Sequence, residues 1–167
     1  TGPTGPGIVP PTGPGPGPGS SRVALELFAG AGFFTLGLAR RFERVVAVES
    51  DPEATRDLAR NVADAGLTGR VRVIEARVEP WLAGGGAAGP GAGAIVPDPP
   101  RRGGRGGPAP APARLPARRL VHLSCDPATL ARDLAVFTRH GWRLGLVHGF
   151  DLFPQTPHAQ VLAVLER

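Results

Sequence analysis

The sequence predicts an α/β domain built on a mostly parallel, seven-stranded sheet, and three observations carry the prediction. Short apolar runs of strand length alternate with stretches of helical periodicity, the pattern of β-α-β units. The first run ends in Ala29-Gly30-Ala31-Gly32, a glycine turn of the kind that joins a strand to a helix. Two later runs lead into Asp51-Pro52 and Asp126-Pro127, where an N-cap side chain precedes a residue already fixed near helical φ.

Taken in order, residues 1–20 are Gly, Pro, Thr and Ser with no charge and almost nothing apolar, so they read as a disordered linker. Residues 21–167 read as the folded domain. Val23–Phe28 is the first strand, and Phe33–Arg41 the helix after the glycine turn. Arg44–Glu49 is the second strand, ending in an acid. Asp51 caps a helix that Pro52 opens and that runs to Ala65, with Leu58 and Val62 on one face and Gly66 beyond its end. Arg70–Ile74 is the third strand. Ala83–Ala94 is nearly all Gly and Ala, and a short fourth strand from Ile95 leads into Asp98-Pro99-Pro100-Arg101. Pro97 sits awkwardly there, since it removes a ladder donor. Arg102–Pro116 is too rich in Gly and Pro for a helix and reads as a long flexible crossing. Leu120–Leu123 is a buried strand, Asp126 and Pro127 start a helix with Leu130, Leu134 and Phe137 on its apolar face, and Gly141 ends it. Trp142–Val147 and Val161–Leu165 complete the strands.

Composition narrows the class. All nineteen basic residues are arginine, with no Lys, Met or Tyr, while Gly (25) and Pro (20) abound, a bias that a GC-rich coding sequence produces. A chain that starts at Thr1 and has no Met reads as a fragment or a trimmed product. Net charge is +5, and its surplus comes from Arg101, Arg102, Arg105, Arg114, Arg118 and Arg119, a cluster suited to phosphates or to a solvated loop. One cysteine forms no internal disulfide, and no membrane-length apolar run or signal peptide is present, so a cytoplasmic location is expected.

That cysteine, Cys125, stands where a strand hands over to a helix. A helix N-terminus favours thiolate over thiol, although a lone Cys at a strand end is also a common small buried hydrophobe. The surrounding string Ser124-Cys125-Asp126-Pro127-Ala128-Thr129-Leu130-Ala131-Arg132-Asp133-Leu134 closely resembles the catalytic-cysteine motif of the class I RNA 5-methyluridine methyltransferases, with Asp126 where that family usually has Asn. Glu26-Leu27-Phe28-Ala29-Gly30-Ala31-Gly32 followed by Val45–Glu49 resembles their S-adenosylmethionine (SAM) site. Asp98-Pro99-Pro100-Arg101 resembles their uracil-contacting loop, and Phe153–His158 resembles a segment that leads to the catalytic Glu, a position held here by Gln160.

The resemblance implies a Rossmann-like class I SAM methyltransferase domain whose last strands form an antiparallel hairpin, without the family's N-terminal RNA-binding domains. It implies uracil-C5 methylation of tRNA or ribosomal RNA, with Cys125 as nucleophile, Gln160 in place of the base, and His158 as a possible substitute base. Asp98 and Arg101 would contact the substrate, and Phe28, Gly30, Gly32, Glu49 and Asp98 the cofactor SAM. The partner would be RNA with an accessible uridine, without metal or membrane, for a chain read as a monomer. Phe33, Phe34 and Phe153 are candidates for stacking or for the core. Arg77 occupies the place of an adenine-contacting Asp. Two rival readings stay open: a non-catalytic remnant that binds SAM or RNA, and an amino-methyltransferase that uses the Asp-Pro-Pro loop and makes Cys125 incidental.

Overall fold

The computed structural model describes residues 22–86, 91–99, 111–150 and 160–167. Strands β1 (Val23–Leu27), β2 (Arg44–Glu49), β3 (Val71–Glu75), β4 (Ala92–Pro97) and β5 (Ala117–Ser124) are parallel. Strands β6 (Arg143–Phe150) and β7 (Gln160–Glu166) close the sheet in the order β3-β2-β1-β4-β5-β7-β6, with β7 antiparallel to both neighbours. The expected seven strands and C-terminal antiparallel pair are all present.

Helices α1 (Thr35–Ala39) and α2 (Pro52–Asp64) pack on one face, where Ala24, Val45, Ala47, Leu58, Val62 and Val71 form a core. Helix α3 (Val78–Ala83) covers the other face over Leu25, Leu27, Val48 and Ile95. Helix α4 (Pro127–Arg139) buries Leu130 and Phe137 against Leu120, Val161, Ala163 and Leu165. The two Asp-Pro signals act as read. Asp51 accepts from the N–H groups of Glu53 and Ala54, and Asp126 from that of Ala128, so each carboxylate satisfies donors that a helix start leaves orphaned.

Several boundaries differ from expectation, among them β5, which starts at Ala117, β6, which runs to Phe150, and the unexpected helix α3. Helix α1 begins at Thr35, because Gly32 and the turn after it leave Phe33 88% exposed, which also removes Phe33 from the core. Strand β4 starts three residues early, at Ala92 inside the Gly/Ala run, because pairing with β1 and β5 supplies what its side chains do not. Pro97 is its last residue: the ladder to β5 ends at Ile95, and Asp98 N–H completes the pairing with the Leu27 carbonyl. The crossing expected to be flexible through Pro116 holds a 3₁₀ turn at Ala111–Arg114, whose buried Ala113 carbonyl accepts from Trp142 Nε1 at 2.9 Å and Arg167 Nη2 at 2.6 Å. The N-terminal linker, Arg101, Arg102, Arg105, Phe153 and His158 lie outside the described residues.

Candidate active site

Parallel strands align their C-terminal ends on one edge of the sheet, and most of the residues singled out by sequence gather there. The β1–α1 turn is built by backbone conformations that L residues avoid: Phe28, Gly30 and Gly32 have φ of 63°, 54° and 95°. Gly32 is needed twice over, because a Cβ there would also lie 2.6 Å from Leu58 on α2. Gly30 faces open space, with nothing within 4 Å of where a Cβ would stand.

Glu49, at the end of β2, ties this turn to the next. One carboxylate oxygen accepts from Gly30 N–H at 2.8 Å, and the other from the N–H groups of Ser50 at 2.6 Å and Asp51 at 2.8 Å. The acid is buried, and these bonds, with a further one from Ser50 Oγ at 3.3 Å, offset that burial.

Glu26 is a site residue that the sequence reading missed. It is 2% exposed, accepts from Thr35 Oγ1 at 2.5 Å, and is pushed up to about 7, chiefly by burial and then by the nearby Asp98, against the opposing Thr35 hydrogen bond. The available signal was an acid in the middle of an apolar strand. Asp98, half-buried beyond the end of β4, is also raised by burial, and His122 partly opposes that rise.

His122 was likewise not singled out. It is 2% exposed on β5, with Nε2 3.1 Å from Asp133 Oδ2 on α4 and its ring edge-on to Phe137. Its buried Nδ1 has no partner among the described residues.

Cys125 is a half-buried free thiol between β5 and α4. Ser124 fixes the turn on either side of it, donating to the Asp126 carbonyl at 3.0 Å and accepting from the Asp126 N–H at 3.2 Å. The Asp126 carboxyl is held well below the usual range by Thr129 Oγ1, at 2.7 Å, and by the Ala128 N–H. The carboxylate that caps α4 thus belongs to the residue that follows Cys125 in the chain.

The β5–β7 ladder ends with Ser124 paired with Val161, and Gln160, the first residue of β7, pairs with Phe150 on β6. Arg77 is the N-cap position of α3, exposed and without a side-chain capping bond. The structure thus brings together Gly30 with Glu49 and Glu26 with Asp98, and it sets Cys125 one residue past the end of β5 and Gln160 at the start of the neighbouring β7. Arg101 and His158 fall in segments that are not described.

No family model matches the chain. The 23S rRNA (uracil(1939)-C(5))-methyltransferase RlmD of Pseudomonas putida is 42% identical over 153 residues, covering 89% of this chain and 32% of the relative. The chain is related to the RNA uracil-C5 methyltransferases. It spans about a third of the length of these curated relatives. An uncharacterized RNA methyltransferase of Streptomyces coelicolor is 38% identical over 152 residues, again 89% of this chain and 32% of the relative. Among solved structures, the Pyrococcus abyssi tRNA (uracil-54, C5)-methyltransferase in complex with S-adenosyl-L-homocysteine aligns with a TM-score of 0.64 at 28% identity, over 85% of this chain and 33% of that one. Aeropyrum pernix fibrillarin, at 17% identity and a TM-score of 0.63 over 86% of this chain and 66% of its own, shares the Rossmann-like methyltransferase fold. Among the described residues no group of His, Cys, Asp and Glu is arranged to hold a metal, and no helix is long and apolar enough to cross a membrane.

Proposed function

We propose that the chain carries the SAM-dependent methyl-transfer chemistry of an RNA uracil-C5 methyltransferase and that Cys125 forms a covalent adduct with the target base. The observation that carries this reading is a half-buried free thiol, Cys125, directly after β5 and beside the strand that Gln160 opens, in a chain whose relatives are uracil-C5 methyltransferases.

The residues at the first two strand ends suit SAM. Gly30 leaves room against the backbone of the turn, and Glu49 retains lone pairs for the ribose hydroxyls beside it. Gly30 and Gly32 would face the methionine part, with Phe28 and Asp98 flanking the site. When bound, SAM supplies an electrophilic methyl group.

The chain's own residues handle the base. The Cys125 thiolate adds to C6, and the electrons of the C5–C6 double bond move toward O4, leaving C5 nucleophilic. Asp98 hydrogen-bonds the ring edge and steadies that charge. Once C5 is methylated, a base takes its proton, the bond between Sγ and C6 breaks, and the thiolate is restored. Gln160 has the shape of the family's Glu but is not basic at neutral pH, and losing a general base typically costs about 10²–10⁴-fold. His158 is the candidate substitute on sequence grounds. Gln160 also favours a second reading, a non-catalytic remnant. The substrate uridine must be single-stranded or flipped to reach a half-buried thiol.

The test is incubation with SAM and RNA that contains 5-fluorouridine, followed by a denaturing gel and mass spectrometry. Fluorine does not leave C5 as the proton does, so an active nucleophile is trapped whether or not Gln160 works. A methylated adduct on Cys125, absent from Cys125→Ala, is the expected result. RNA that binds without an adduct would establish the remnant.

A further inference from the structure

At the opposite edge of the sheet, the N-terminal ends of β1, β2 and β3 frame a cavity of about 410 Å³, a size that suits a small-molecule or nucleotide site. Strand alternation sends Val23, Leu25 and Val46 to the α3 face, and these make its apolar floor. Helix α3 has only six residues before the chain turns to glycine, too short to cover the strand starts. The half-buried Trp81 indole closes one side, with Gly86 packed so tightly on the ring that a Cβ there would lie 2.3 Å from Cε2.

The charge of this groove is one-sided. Arg44, Arg70 and Arg72 line it, and among the described residues no acid does. Arg70 spends one Nη on the Ala39 carbonyl at 3.5 Å, but the exposed guanidinium groups of Arg44 and Arg72 make no hydrogen bond or ion pair among the described residues. Register sets Arg72 beside Val46, two residues along β2 from Arg44 and on the same face. Such diagonal neighbours lie about 7–8 Å apart, and like charges so placed repel unless an anion stands near them. Unpaired arginines over an apolar floor, beside an indole, make up the combination that holds a single nucleic-acid strand: phosphates meet the cations, and a base covers the apolar surface.

We propose that this groove binds single-stranded RNA, with phosphates on Arg44 and Arg72 and a base against Trp81 and the Val23, Leu25 and Val46 floor. RNA as the occupant rests on the proposed function; the cavity and its charge do not. A five-residue strand of about 17 Å separates the groove from the Gly30 and Cys125 edge, so the nucleotides held here flank the target uridine.

The test titrates the chain with an oligouridylate of about ten nucleotides, a length within the usual site sizes, and reads Trp81 emission. Trp142 is a constant background, being 2% exposed and bonded to the Ala113 carbonyl. Saturable quenching is expected. R44Q/R72Q, which alters only exposed side chains, should weaken binding about tenfold or more. It should also lower the slope of log affinity against log salt by about 1.4, roughly 0.7 per lost phosphate contact. Unchanged affinity and slope in R44Q/R72Q would overturn the proposal, as would uridine monophosphate binding as tightly as the oligomer. Neither signal reads Cys125, so quenching without an adduct removes the methyltransferase reading and keeps the groove, while an adduct without quenching removes only the groove.

Discussion

Two parts of the catalytic edge use the same device, a strand that hands over to a capped helix, and differ in what the acid beside the turn does. At the end of β2, Glu49 is absorbed: its oxygens accept from Gly30, Ser50 and Asp51, and the charge stabilises the turn that creates the open space at Gly30. At the end of β5, Asp126 also caps α4, but it follows Cys125 in the chain, the residue that the proposed chemistry needs as an anion. On the neighbouring β7, Gln160 is an amide at the position where the proposed mechanism would use a base. Geometry and charge are therefore separable requirements. For the proposed mechanism, the first region has a built turn and a satisfied acid, whereas the second has a capped turn and no base at Gln160.

If that comparison is right, restoring charge should matter most in the second region. Gln160→Glu should raise product release by about 10²–10⁴-fold, with little change in the rate of adduct formation, as followed by rapid quench. An unchanged release rate would identify another group as the base.

The first region should respond through stability. Glu26 rises from the ordinary 4.5 to about 7, so between those values the folded chain keeps a proton that the unfolded chain has lost. Stability is therefore highest below about pH 4.5 and declines as pH rises through about 7. Asp98 contributes with the same sign. The lowered Asp51 and Asp126 act in the opposite direction, but only at pH values under their ordinary 3.8. Glu26→Gln should flatten the decline by up to about 3 kcal/mol, read by urea unfolding at successive pH values. Parallel profiles for the two proteins would show that this carboxyl ionises freely.

Gly32→Ala should lower stability by about 1–3 kcal/mol in thermal unfolding, since the added methyl meets Leu58 at a φ of 95°. A neutral result would mean that α2 yields to it.

The smallest effect sharpens the contrast most directly. Asp126→Asn keeps an equally good N-cap and removes the anion beside Cys125, so alkylation of the thiol by iodoacetamide at pH 7 should speed up about 3–10-fold. No acceleration would mean that the capping carboxylate and the thiol do not sense each other.

Much of this was legible in the sequence because the signals are local. Asp51-Pro52 and Asp126-Pro127 fix helix starts through a side chain and its own next residues, and Arg44–Glu49 is a strand on its β-branched residues alone. The Gly30–Gly32 turn and the strand-end positions of Glu49 and Cys125 were legible for the same reason. Helix α3 was not, because its six residues carry a proline and run into glycine. Nor was the first half of β4, where Ala92-Gly93-Ala94 has no strand preference and depends on its neighbours.

By itself, then, the sequence determined the strand–turn–helix units, the capped entry to α4 and the chemical types at the sheet edge, since each depends on contacts within a few residues. Only the tertiary structure decided that burial would push Glu26 up to about 7, that Gln160 would open the strand beside β5, and that Arg44 and Arg72 would share one face with Trp81. Those outcomes depend on burial and strand register, which are set by segments far apart in the chain.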